Sequence, residues 1–294
     1  MTTASTRLLA LLGSPVSHSR SPAMMTEALA KLSLAHAYTY LALDVAAPDL
    51  ATVLSALAAV RCAGLNVTVP HKRAVLAHCL SHDDDVRRIG AANVLSPVPG
   101  GWIAHNTDAP AAARALADAG CTLAGKRVAV LGAGGAARAV CVGLAREGVS
   151  ALDVIARDPA QSAACLSACD GLLLSHRASV SWHDTDAHAV LARADIVVQC
   201  TSLGMTSETQ STHAYTQALG WLASVPRGAT AMDLVYSPEA NTPWLLRAKS
   251  HGLYTVDGLG MLAHQGALAL ARWVGGAPPA RVLRRFLDAH GTDA

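Results

Sequence analysis

The sequence lacks the features by which membrane proteins, nucleic-acid-binding proteins and zinc proteins are commonly recognised. No stretch of its 294 residues approaches the roughly 18 uninterrupted apolar residues that a membrane-spanning helix needs. Its 23 basic and 21 acidic residues leave a net charge of +2, too small to attract nucleic acid or an anionic membrane. The seven scattered cysteines form no Cys-x-x-Cys pair, and no His-Glu-x-x-His motif occurs. Neither a disulfide framework nor a metal site is therefore predicted.

The N-terminal residues do not have the pattern of a secretory leader. The apolar run 8–12 is shorter than the roughly 7 to 15 residues of a signal-peptide core, and Gly-Ser-Pro follows it in place of a cleavage site. We therefore expect a cytoplasmic protein with reduced thiols. The low net charge predicts no nucleic-acid or membrane partner, and we expect a monomer or homodimer that acts on a small-molecule substrate.

Short strand-like runs alternate with helical runs through the first third of the chain, which predicts parallel strands joined by helical crossovers. These runs are 7–13, 22–34, 37–45, 48–60 and 64–69. The proline- and glycine-rich segment 96–101 lies between two short strand-like runs, so it predicts a hairpin. An alanine-rich helix over 109–119 follows, and Gly120 ends it.

A second alternating set begins at Arg127 and predicts a nucleotide-binding domain. Its predicted strands are 127–132, 152–156, 196–200 and 229–235, its predicted helices are 135–147 and 159–169, and the polar segment 206–216 is predicted as a surface loop. Two further helices, 261–274 and 278–289, could pack back on the first domain. The prediction is an α/β protein with a first domain (1–107) that has a mainly parallel sheet, followed by a Rossmann domain (108–257).

A glycine-rich loop follows the first strand of the second set and carries the strongest single motif. Residues 132–137 read Gly-Ala-Gly-Gly-Ala-Ala, a match to G-x-G-x-x-A between a strand and a helix. Gly132 permits the tight turn, Gly134 lets the backbone approach a pyrophosphate, and Ala137 keeps the helix close to the sheet. The predicted dinucleotide ligands in this loop are Gly132, Ala133, Gly134, Gly135, Ala136 and Ala137.

The next strand ends at Arg157 and Asp158, which indicate different nicotinamide cofactors. An arginine at this point binds the 2′-phosphate of NADP, whereas an acidic residue accepts a hydrogen bond from the free 2′-hydroxyl of NAD. Arg157 is nearer the strand end and favours NADP. Asp158 either favours NAD or caps the helix that begins at Pro159.

Lys72 and Asp108 are the candidate proton-transfer pair. Lys72 follows a buried strand and Pro70, and the sequence predicts it in the first turn of a helix, where the helix dipole makes an amine a better proton acceptor. Asp108 lies at the predicted domain boundary and also suits the cap of the next helix. If the two side chains face one another, the carboxylate orients the amine and shares its proton, as reversible alcohol oxidation requires.

Six segments together resemble the shikimate dehydrogenase family in the order that the family has them. They are 13–22 (GSPVSHSRSP), 66–72 (NVTVPHK), 91–93 (AAN), 106–108 (NTD), 132–138 (GAGGAAR) and 257–262 (DGLGML). The resemblance implies that the first domain (1–107, completed by 258–294) is a substrate domain, with a cleft between it and the Rossmann domain. It also implies NADP-linked reduction of 3-dehydroshikimate to shikimate, a chorismate-pathway step in aromatic amino acid biosynthesis.

The same resemblance implies roles for individual residues. Lys72 carries the proton; Ser19 and Ser21 bind the substrate carboxylate, although Ser21 before Pro22 is also typical of a helix cap. The implied substrate ligands are Ser19, Ser21, Asn66, Thr68, Asn93, Asp108, Tyr236 and Gln265. The implied cofactor contacts outside the glycine loop are Arg157, Asp158, Gly258 and Met261.

Several positions depart from the family pattern and leave alternatives open. His71 stands where many members have Phe, Val94 where they have Thr, and Ala109 where Gly is common. The Asn-Arg-Thr pattern of NADP enzymes, which has a second arginine downstream, is here Ala156-Arg157-Asp158 with Gln161. The alternatives are an NAD-preferring quinate/shikimate dehydrogenase, a related paralogue, or a dinucleotide-binding regulator without catalysis.

Overall fold

The computed structural model describes residues 3–205, 207–236 and 241–290. Its contacts divide these into two compact units, the first ending at Thr107 and resuming over Leu262–His290, and the second covering Asp108–Met261. Within the described ranges, no helix combines the length and the apolar character needed to cross a membrane. Both units are α/β, as the sequence predicted.

The first unit is built on a six-stranded sheet. Its elements are β1 (Arg7–Gly13), α1 (Ser21–Lys31), β2 (Tyr38–Asp44), α2 (Leu50–Ala59), β3 (Gly64–Val67), β4 (Ser81–His82), α3 (Asp84–Ile89), β5 (Val94–Val98) and β6 (Gly101–His105). Short 3-10 helices cover Ala47–Asp49 and Ala74–His78. The strand order is β2-β1-β3-β5-β6-β4. Only β5 runs antiparallel to its neighbours, because the turn at residues 99–100 makes the predicted hairpin with β6.

The second unit is built on a six-stranded sheet in which every neighbouring pair is parallel. Its elements are α4 (Asp108–Asp118), β7 (Arg127–Leu131), α5 (Gly135–Arg146), β8 (Ala151–Ala156), α6 (Pro159–Ser167), β9 (His176–Ser181), α7 (Asp186–Leu191), β10 (Ile196–Gln199), α8 (Ser207–Gln210), α9 (His213–Trp221), β11 (Thr230–Asp233), α10 (Pro243–Ser250) and β12 (Tyr254–Val256). The order β12-β11-β10-β7-β8-β9 reverses between β7 and β10. This is the doubly wound dinucleotide-binding order, and ligands bind at such a reversal.

The last two helices, α11 (Gly258–Val274) and α12 (Ala280–Ala289), return the chain to the first unit. Gly64 of β3 makes room for the Trp273 ring, since an added Cβ would lie 2.4 Å from it. Buried Arg20 donates hydrogen bonds to the backbone oxygens of Leu287 and His290, at 2.5 and 2.9 Å. The first unit is therefore assembled from both ends of the chain.

The sequence prediction of a surface loop over 206–216 is wrong. Residue 206 lies outside the described residues, but α8 and α9 occupy most of the rest. Thr212 caps α9, accepting a hydrogen bond from the Tyr215 backbone at 3.2 Å. Tyr215, Ala218 and Trp221 are buried at three-residue spacing. This apolar periodicity extends beyond residue 216, so it is barely visible within the segment predicted as a loop.

Candidate active site

Polar residues of the first unit gather at one edge of its sheet. The parallel strands β1 and β3 end at this edge, β6 ends there too, and β5 begins there because it is antiparallel. Thr68 follows β3, Asn93 precedes β5 and Thr107 follows β6. The topology therefore brings together segments that are far apart in the chain.

Asn93 is the centre of a buried hydrogen-bonded cluster at this edge. Its Nδ2 donates to Thr107 Oγ1 and to Gln265 Oε1, each at 2.9 Å. Its Oδ1 accepts from the Thr107 backbone at 2.7 Å, and Thr107 Oγ1 donates to the Gln265 backbone oxygen at 3.2 Å. Asn93 and Thr107 are 1% and 2% exposed, so these bonds offset the cost of removing their polar groups from water.

Asn66 and Thr68 extend the cluster along β3. The Asn66 amide, 4% exposed, donates from Nδ2 to the Asn93 backbone oxygen at 3.2 Å and accepts from the Tyr40 hydroxyl at 2.8 Å. Thr68 packs against Gly13, where an added Cβ would lie 2.3 Å from Thr68 Cγ2. Glycine at the end of β1 is thus required by the neighbouring threonine.

Lys72 lies in a turn and not in a helix, which corrects the sequence prediction. The helical segment after it is 3-10 and begins only at Ala74, so a helix dipole provides no argument for its basicity. The Lys72 backbone oxygen accepts from the Ala92 backbone at 2.8 Å, one residue from Asn93. Buried His71 anchors the same turn, because its Nε2 donates to the Val45 backbone oxygen at 2.6 Å.

Ser19 and Ser21 lie between β1 and α1. The predicted capping role of Ser21 is wrong: the residue before the helix is Arg20, and Ser21 is the first helical residue. Ser19 Oγ instead accepts from the Ser21 backbone at 3.2 Å. Pro22 in the first turn supplies no backbone N–H.

Asp108 follows the cluster directly in the chain. It is the first residue of α4, is 3% exposed, and follows Thr107, whose side chain and backbone both bond to Asn93. Asp108 belongs to the second unit and Lys72 to the first. The convergence of the two side chains stays a prediction.

In the second unit, the glycine loop has the geometry that a dinucleotide requires. Gly132 has a φ of +104°, and an added Cβ there would lie 2.9 Å from Thr201 Cγ2. Gly134 precedes α5, and an added Cβ would meet nothing within 4 Å, so its surface is open. Ala137 is fully buried. Open space therefore borders the residue just before α5, and the binding of a pyrophosphate there stays a prediction.

Arg157 and Asp158 differ in how they are engaged. Asp158 caps α6, accepting from the backbones of Ala160 and Gln161 at 2.9 and 3.4 Å, as the sequence allowed. The hydrogen bond from the Gln161 side chain has the largest part in lowering the pKa of the Asp158 carboxyl, and these backbone hydrogen bonds lower it further. Arg157 is exposed, and the described residues include no ion-pair partner for it.

The segments after β11 and β12 carry the remaining predicted contacts. Tyr236 is half-buried and follows β11 by three residues. Gly258 lies against the Leu234 backbone, where an added Cβ would be 2.6 Å from the carbonyl oxygen, and Met261 is 7% exposed. Their ligand contacts stay predictions.

Two functional candidates were not predicted from the sequence. Thr107 stands inside the recognised motif 106–108, so its position was a signal, whereas Tyr40 belongs to no motif.

His78 and His82 have a His-x-x-x-His spacing, but among the described residues no group of three or more potential ligands could hold a metal. All seven cysteines are free.

Known shikimate dehydrogenases are similar to this chain over nearly its whole length. Residues 11–95 match the family model described as the shikimate dehydrogenase substrate binding domain. A shikimate dehydrogenase (NADP(+)) of Symbiobacterium thermophilum is 39% identical, covering 95% of this chain and 92% of that protein. The crystal structure of Thermus thermophilus shikimate 5-dehydrogenase with NADP(H) and shikimate has a TM-score of 0.81 at 33% identity, covering 97% and 100% of the two chains.

A structure with another activity shares the fold. Ligand-free 5-ketofructose reductase of Gluconobacter has a TM-score of 0.78 at 27% identity, covering 98% of this chain and 99% of that one. The fold alone therefore does not identify which ketone is the substrate. The sequence identity is higher to the shikimate dehydrogenase of Symbiobacterium, over nearly the full length of both proteins. This chain belongs to the shikimate dehydrogenase family.

Proposed function

We propose that the protein is an NADP-dependent shikimate dehydrogenase, which interconverts 3-dehydroshikimate and shikimate. The observation that carries the proposal is the hydrogen-bonded cluster of buried Asn66, Asn93 and Thr107 with half-buried Gln265, beside the turn that bears Lys72. Amide and hydroxyl groups of this kind bind a ring with several hydroxyl groups, because they both donate and accept hydrogen bonds. Ser19 and Ser21, at the start of α1, would bind the ring carboxylate.

In this proposal Lys72 and Asp108 handle the proton. NADPH, which the glycine loop and Arg157 would hold, would supply the hydride. Lys72 Nζ donates a proton to the carbonyl oxygen as it becomes an alcohol, and accepts it again in the oxidation. Asp108, buried at the start of α4, would orient the amine and keep its proton close to the reacting oxygen.

The choice of NADP is supported by the surroundings of Arg157. Its guanidinium is exposed and has no ionic partner among the described residues, so it is able to bind a 2′-phosphate. The NAD alternative depends on Asp158, but that carboxylate already holds the first turn of α6. The first unit would serve as the substrate domain and the second as the dinucleotide domain, in a cytoplasmic monomer or homodimer.

Initial rates with shikimate and quinate, each with NADP and NAD, test the proposal. We expect the highest kcat/KM for shikimate with NADP. Faster turnover with quinate or with NAD would identify the quinate/shikimate alternative. Absence of turnover in all four combinations, with NADP still bound, would favour a regulator and contradict the proposal.

A further inference from the structure

Tyr40 is a buried polar side chain that none of the sequence motifs includes. It lies on β2, is 4% exposed, and places its hydroxyl 2.8 Å from Asn66 Oδ1 on β3. The strand β1 lies between these two strands, and its Leu9 is in register with both Tyr40 and Gly64. Asn66 is two residues beyond Gly64, so alternation places Tyr40 and Asn66 on the same face of the sheet. The phenol therefore reaches across one strand to the amide.

The partners of Asn66 determine which way its amide points. Asn66 Nδ2 is 3.2 Å from the backbone oxygen of Asn93, and a carbonyl oxygen can only accept a hydrogen bond. The amide nitrogen must therefore face Asn93, and the amide oxygen must face Tyr40. It follows that the Tyr40 hydroxyl is the donor in its bond to Asn66. The amide is held in one orientation from both ends.

This orientation leaves Asn66 with hydrogen-bonding capacity of a defined kind. An amide has two N–H donors, of which the bond to Asn93 uses one. Asn93 differs, because its Nδ2 already donates both to Thr107 and to Gln265. We propose that Tyr40 is a positioning residue of the substrate site: its hydroxyl fixes the Asn66 amide so that the second N–H is presented to a substrate hydroxyl. The inference rests on the proposed function.

Tyr40→Phe tests this role, since it removes the hydroxyl and keeps the ring that fills the core. Asn66 Oδ1 then loses its donor, and the amide is free to reverse. We expect the KM for shikimate to rise about tenfold, the size expected for one lost hydrogen bond, while the KM for NADP stays unchanged. Tyr38→Phe is the matched control, because it removes a hydroxyl two residues earlier on β2. The Tyr38 ring lies beside Arg7, whose guanidinium carbon is 5.9 Å from the ring centroid. A Tyr40→Phe enzyme with wild-type KM for shikimate would overturn the inference.

A double-mutant cycle separates positioning through Asn66 from a general packing role. Asn66→Leu removes the amide while keeping a side chain of similar shape, and Tyr40→Phe is then introduced into that background. We expect the second change to alter the KM for shikimate by less than about twofold, because the group it positions is absent. A further tenfold rise in that background would show that Tyr40 acts independently of Asn66 and would overturn the inference.

Failure of the inference differs from failure of the proposed function. If the wild-type enzyme oxidises shikimate and Tyr40→Phe matches it, only the positioning role is wrong. If the wild-type protein does not oxidise shikimate, the proposed function is wrong, and the inference fails with it.

Discussion

At the scale of single residues, replacing Lys72 should have the largest effect on activity. We expect Lys72→Met to lower kcat by several orders of magnitude with little change in the KM for shikimate, since the change removes the proton donor but leaves the hydrogen-bonding cluster around Asn93. Steady-state kinetics in both directions measure this.

The neighbouring Arg73→Met variant is the control, because it removes an exposed positive charge from the same turn. Its kcat should remain near the wild-type value. Near-normal turnover in Lys72→Met would remove lysine from the mechanism.

A second prediction concerns Arg157 and the choice between NADP and NAD. Arg157→Ala should raise the KM for NADP by about tenfold or more and leave the KM for NAD nearly unchanged, because only NADP has the 2′-phosphate that the guanidinium would bind. Arg227→Ala, an exposed arginine before the amino end of β11, should change neither. Equal effects of Arg157→Ala on both cofactors would exclude the role.

Some of these residues were accessible from sequence and others were not, for a physical reason. Asn66, Asn93 and Gln265 were predicted as ligands, and the structure brings them into one cluster. Tyr40 could not be predicted, because an alternating strand pattern shows that a tyrosine is buried but not which acceptor its hydroxyl reaches across a neighbouring strand.

At the scale of secondary structure elements, Asp233 links the end of β11 to the start of α10. Its carboxylate, 1% exposed, accepts from the Val235 backbone at 3.0 Å and from the Thr242 hydroxyl at 2.6 Å. Burial raises the pKa of this carboxyl from 3.8 to about 7, although both hydrogen bonds favour the charged form. The carboxyl is therefore protonated in the folded protein over a pH range where the unfolded chain is ionised.

This shift predicts how stability changes with pH. The contribution of Asp233 is fully present below pH 3.8 and is lost as the pH rises through about 7. Asp233→Asn keeps the side-chain shape and cannot ionise. The free energy of unfolding of the wild type, relative to this variant, should fall by an amount on the order of a few kcal/mol between about pH 4 and about pH 8. Urea unfolding across that range measures it; a constant difference would contradict the shift.

The elements themselves were predictable where a pattern is local. The hairpin of β5 and β6 follows from the proline and glycine residues at 96–101, and α6 follows from Asp158 and Pro159 at its start. The turn at Lys72 was misjudged because Pro70 starts a helix well, whereas tertiary contacts, such as the His71 bond to Val45, hold this segment in turns. Tertiary contacts override local preference at such places.

At the scale of the whole molecule, the two units differ in how the chain builds them. The second unit is continuous over 108–261, whereas the first needs α12 and most of α11. We expect the fragment 108–261 to unfold cooperatively on heating when expressed alone. The fragment 1–107 should not, since Met24 and Gly64 lose their packing against Gly266 and Trp273. Circular dichroism during thermal unfolding distinguishes the two.

The control for this experiment joins 1–107 to 262–290 through a flexible linker. That chain regains the bonds from Arg20 to α12 and from Asn93 to Gln265, so it should recover a cooperative transition. Cooperative unfolding of 1–107 alone would mean that the terminal helices are dispensable for its fold.

The split construction of the first unit has a consequence for biosynthesis. On the ribosome, the segments that form β1 and β3 emerge well before Trp273 and the buried leucines of α12. The hydrophobic surface that α11 and α12 cover therefore stays exposed until these two helices have been made. We expect nascent chains of this protein to be most prone to aggregation during that interval.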